Sequence, residues 1–127
     1  MNSPLPHVPQ VEVVLSGCSA ADAGSLFAEL CRRFSSDRAA EDAPHEAASG
    51  RPTMWTGTFD TSEAPGRAAE RPPRLSGPVT AELQGEPRAV ERLRRVLDET
   101  FVVYQLGAVA GDQEVDVELL LESRAPG

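Results

Sequence analysis

The chain has 127 residues, 40% of them apolar and 25% charged, with 20 acidic against 12 basic side chains and a formal charge of −8. That balance describes one soluble globular domain and repels nucleic-acid phosphate and anionic lipid headgroups, so no nucleic acid and no membrane is expected as a partner. No run approaches the roughly 18–20 apolar residues that span a bilayer, and two cysteines, Cys18 and Cys31, are too few for a disulfide framework.

Residues 1–9 carry Pro4, Pro6 and Pro9 and read as a disordered tail. The tail shows neither a charged n-region nor an apolar h-region, so a cytoplasmic location is expected. Val11-Glu12-Val13-Val14-Leu15 is a strand, closed by Ser16-Gly17. Ser19 then caps a helix over 19–34, with Asp22 in its first turn. Ala20, Ala23, Leu26, Phe27, Leu30, Cys31 and Phe34 share one side of that helix; Asp22, Ser25, Glu29, Arg32 and Arg33 share the other.

Residues 35–52 have no apolar period and predict a long mobile loop. A strand over 53–59 follows, rich in threonine and aromatic residues and including Trp55, and then a second loose stretch over 60–78. Val79, Ala81 and Leu83 alternate with Thr80, Glu82 and Gln84 as a half-buried strand. Pro87 opens a second helix, where its missing donor is harmless. Ala89, Val90, Leu93, Val96, Leu97 and Phe101 line one face of it; Glu91–Arg95, Arg94–Asp98 and Arg95–Glu99 are spaced to pair on the other. A hairpin ends the domain, with Val102–Ala110 turning near Gly111-Asp112 into a strand over 115–122, and residues 123–127 form a tail.

The chain repeats itself. Val11-x-Val13-x-Leu15-x-Gly17 before a helix ending at Phe34 echoes Val79-x-Ala81-x-Leu83-x-Gly85 before a helix ending at Phe101. Two strand–helix–strand halves, 10–59 and 79–122, make one α+β domain over 10–122. The expected architecture is a ferredoxin-like β-α-β-β-α-β sandwich with an extra C-terminal strand and two long mobile loops, 35–52 and 60–78. The chain has no lysine and no isoleucine; all its basic residues are arginine. Codon bias in a high-GC bacterial genome explains that more simply than any arginine-specific chemistry.

Chemistry is sparse. No glycine-rich turn ends in Gly-Lys-Ser/Thr, and no G-x-G-x-x-G follows a strand. His7 and His45 have no partners at ligand spacing, so no metal and no cofactor is expected. Cys18, beside a helix N-terminus, is the one candidate reactive thiol, against the plainer reading of a small residue in a tight turn. Asp112, Glu114, Asp116, Glu118 and Glu122 read as a solvated strand face rather than a catalytic pair. Arg88, Arg92 and Arg95 form a basic stripe that either pairs with Glu91 and Glu99 or docks an acidic partner.

With no nucleophile–base pair in view, an enzyme is the least favoured class. The leading expectation is a small acidic noncatalytic binding or regulatory module acting through protein contacts. The alternative is a ligand-sensing domain, and behind it a compact enzyme using the open sheet face. Leu120 and Val14 fall on the parity opposite the core, which favours a homodimer through the sheet.

Overall fold

The computed structural model describes residues 9–36, 54–62, 64–67 and 73–124. Four of its strands follow the period-2 alternation, β1 (Gln10–Ser16), β3 (Met54–Asp60), β4 (Val79–Gly85) and β6 (Val115–Ser123), and a fifth, β5 (Phe101–Ala110), is buried only at its start. The sixth, β2 (Ser35–Ser36), is two serines. Register places the apolar positions opposite one another. Val13 faces Gly57 on one side and Leu83 on the other, and Leu83 faces Val117. All therefore point to one face of the sheet, as a side-chain period of two requires.

Helices α1 (Ala20–Arg33) and α2 (Pro87–Thr100) cover that face with Ala23, Leu26, Phe27 and Leu30 from one and Val90, Leu93, Val96 and Leu97 from the other. These side chains and the inward strand residues form a single buried cluster, within which Phe27 stacks on Phe59 at 6.0 Å. The Ser19 hydroxyl accepts the Asp22 N–H at 3.1 Å and starts α1, directly after Gly17 turns the chain through a left-handed φ of 67°. Each helix ends at a buried phenylalanine whose N–H returns to the helix, Phe34 to the Leu30 carbonyl and Phe101 to that of Leu97. The internal repeat is thus real at the level of strand, helix and cap.

The sheet order is β2-β3-β1-β4-β6-β5, with every neighbouring pair antiparallel. This α+β arrangement differs from the ferredoxin-like order expected from sequence. There, residues 53–59 would be the strand that α1 leads to. Instead the chain leaves Phe34 straight into β2, which runs parallel to β1, and β3 returns antiparallel between them. Each half is strand–helix–strand–strand: β1-α1-β2-β3 in spatial order 2-3-1, and β4-α2-β5-β6 in order 4-6-5. The strand expected as a C-terminal extra is the return strand of the second half. Two serines carry no apolar signal, which is why β2 reads as loop.

The halves meet along β1 and β4, where Val14 lies opposite Glu82. Those two residues occupy the same position of the repeat, so the seam is symmetric about them. The expected tail over 1–9 and loop over 35–52 fall largely outside the described residues. What is described of 60–78 makes hydrogen bonds to the rest of the fold. Thr61, fully buried, donates its N–H and its hydroxyl to the Pro9 carbonyl, each at 2.9 Å. Gly66 N–H caps the Arg33 carbonyl at 2.8 Å, and Leu75 N–H reaches the Ser123 hydroxyl. Ser123, expected in the tail, is therefore part of β6. No helix among the described residues is long and apolar enough to cross a membrane.

Candidate functional site

The face of the sheet opposite the helices carries no covering element among the described residues. Its side chains form rows set by the register. One row runs Met54, Ser16, Thr80, Leu120, Tyr104; the next Thr56, Val14, Glu82, Glu118; the third Thr58, Glu12, Gln84, Asp116, Val109. The first row is uncharged, with Met54 and Tyr104 exposed at its two ends. The other two concentrate four carboxylates from three strands. No arginine of the described strands points to this face.

Crowding has an electrostatic signature at Glu82. Partial burial, followed by the neighbouring carboxylates of Asp116, Glu118 and Glu12, pushes its carboxyl above the usual range. Glu82 and Glu118 are directly opposed across the β4–β6 ladder, where like charges repel. Among the described residues no group of three or more His, Cys, Asp or Glu is arranged to hold a metal. A flat field of like charge, rather than a convergent cage, is what the register builds.

The sequence candidates divide between the two sides of the sheet. Val14 and Leu120 both lie half-buried on the open face, as their parity predicts. They are not adjacent: β4 runs between them, with Glu82 opposite Val14 and Thr80 opposite Leu120. Arg88, Arg92 and Arg95 lie on α2, on the far side. Arg92 donates to the Thr61 carbonyl at 3.0 Å, which ties it to the fold. Arg95 pairs with Glu91 at 3.7 Å and Arg94 with Asp98 at 3.7 Å, both as expected from spacing. Glu99 turns instead to Arg33 of α1, at 3.1 Å.

That last contact belongs to a buried polar set which helical-wheel reasoning places in solvent. Asp22, Glu29 and Arg33 are all buried. Arg33 bridges Glu29 and Glu99 and so joins the two helices, while the Asp22 carboxylate accepts the Ser76 N–H and hydroxyl. Cys18 lies beside Asp22 in a shallow cleft completed by Ser76 and Gly77. Burial, and then the Asp22 carboxylate, push its thiol up rather than down. A raised thiol favours the protonated form over the thiolate.

No protein-family model, no curated protein and no solved structure matches the chain. Function is therefore argued from the surface itself. Sequence reasoning identified Asp116, Glu118, Val14 and Leu120 on this face but missed the roles of Glu12, Glu82, Met54 and Tyr104. Strand parity was the available signal, and it becomes informative only once the strand order puts those residues side by side.

Proposed function

We propose that the protein is a noncatalytic binding module whose contact surface is the open sheet face, and that its partner is a basic protein segment. The observation that carries this reading is the pairing of Glu82 with Glu118, flanked by Glu12 and Asp116, on a face whose described strands contain no arginine. An arginine- or lysine-bearing segment relieves the mutual repulsion of these carboxylates, and complementary charge of this kind sets specificity and association rate. The uncharged row from Met54 to Tyr104 offers apolar contact beside the charges. Nucleic acid and anionic lipid present the wrong charge to such a face.

The test compares chemical cross-linking of the wild type, a Glu82→Arg/Glu118→Arg variant and an Arg88→Ala/Arg95→Ala variant in host lysate. A partner held by the wild type and by the helix variant, but lost with the charge-reversed sheet, supports the reading. A partner that depends on Arg88 and Arg95, or that ignores the reversal, overturns it. Thermal stabilisation by a small metabolite that the reversal abolishes would support the ligand-sensing alternative instead.

A further inference from the structure

The two edges of the sheet are built differently. The outer strand of the first half, β2, is two residues long, whereas that of the second, β5, is ten. β5 reads FVVYQLGAVA, with no charge and no proline, so it lacks the lysines and prolines by which edge strands discourage pairing. Of the four large apolar side chains exposed among the described residues, three are on β5: Tyr104, Leu106 and Val109, the last 71% exposed. Helix cover ends at Gln105, whose side chain accepts a hydrogen bond from Arg94 of α2. Beyond it a bulge leaves Leu106 unmatched by β6. Ala108 and Ala110 lie opposite Val117 and Val115, on the core side, yet are exposed because no helix reaches them. The far end of β5 thus offers apolar side chains on both faces and, along its outer edge, backbone donors and acceptors that β6 does not use.

We propose that a second copy of this chain occupies that edge, with Gly107–Ala110 of two molecules pairing antiparallel about a two-fold axis to give a continuous sheet of twelve strands. A backbone ladder unpaired among the described residues calls for another strand, and charge selects which one. The chain as a whole is strongly negative, but β5 contributes nothing to that charge. In the edge pair the carboxylates of β6 in each copy stay three interstrand spacings, or about 14 Å, apart. That exceeds the screening length of about 8 Å at physiological salt. Stacking the two open faces, the arrangement that the parity of Val14 and Leu120 suggested, would set the two sheets about 10 Å apart, with Glu82, Asp116 and Glu118 of both copies inside that gap in a water-poor interface. The edge is the route to self-association that leaves the acidic face free.

Sedimentation at about 100 μM protein and 0.15 M NaCl should give a dimer whose dissociation constant rises at least about tenfold in an Ala108→Lys/Val109→Lys variant. Both substituted positions are exposed, so the far-ultraviolet circular dichroism of that variant should match the wild type. Leu120→Glu, on the open face, should leave the dimer intact. Hydrogen exchange of the wild type supplies a second readout: β5 amides should become more protected as concentration rises. A wild type that stays monomeric with β5 exchange independent of concentration overturns the proposal, as does a dimer that Leu120→Glu dissolves and the β5 lysines do not.

Discussion

Glu82 shows how a single position can work against the fold that carries it. Its carboxyl titrates above the usual range because burial and then Asp116, Glu118 and Glu12 disfavour its charge. A carboxyl whose folded value is raised supports the fold fully below its unfolded value and loses that support as pH climbs through the folded one. Glu82→Gln should therefore stabilise the protein at pH 7. Relief of one directly opposed like pair is worth about 0.5 kcal/mol, or about 2–4 °C in thermal midpoint. The gain should fade as pH falls into the carboxylate range, where the wild type becomes neutral as well. Thermal melts of both proteins from neutral to acid pH check this, and a glutamine variant less stable than the wild type at pH 7 contradicts it. Individual side chains were the least legible part of the sequence. Asp22, Glu29 and Arg33 look like solvent-facing residues on a wheel, yet Asp22 is met by Ser76 and Arg33 by Glu99, partners 54 and 66 residues away. A helical wheel knows only its own helix.

At the scale of the element, the alternation in β1, β4 and β6 and the amphipathic stripes of α1 and α2 were enough to place both helices and five strands. β2 was not recoverable, because Ser35 and Ser36 bury little and are held by pairing with Asp60 and Phe59. Missing it changed the strand order, since a two-residue strand decides whether β3 runs with β1 or against it. The joint between β1 and β4 makes its own demand on sequence. A side chain at Gly85 would meet the Gln10 carbonyl oxygen at 2.5 Å, a backbone atom that cannot move aside cheaply. Gly85→Ala should destabilise by about 1–3 kcal/mol, measured by urea unfolding. Gly77→Ala, where nothing lies within 4 Å, is the matched control and should cost far less. Equal losses at the two sites would mean that the close approach at the seam does not govern the cost, because the chain-entropy effect of Gly→Ala is stabilising.

Across the whole molecule, charge is unevenly distributed. The helices carry arginines in mixed company, with Arg33, Arg94 and Arg95 each paired to a carboxylate, whereas the only charged side chains that the described strands place on the open face are carboxylates. Salt weakens both the pairs and the repulsion, but exposed pairs contribute little and the chain is strongly negative. The thermal midpoint should therefore rise between about 0.05 and 0.5 M NaCl as self-repulsion is screened. The rise should be smaller in a Glu82→Gln/Glu118→Gln variant. A midpoint that falls with salt would show that the helix-side pairs dominate.

The symmetric seam between the halves has a consequence for partner choice within the molecule. Because the β1–β4 register is centred on Val14 and Glu82, each half exposes, before joining, an edge that two identical halves could also share. Two copies of the second half would set Glu82 against Glu82 at the centre of such a joint, and two of the first would set Val14 against Val14. The mixed joint removes the repulsive coincidence. One valine facing one glutamate at the axis thus biases each half toward joining its unlike partner rather than a second copy of itself.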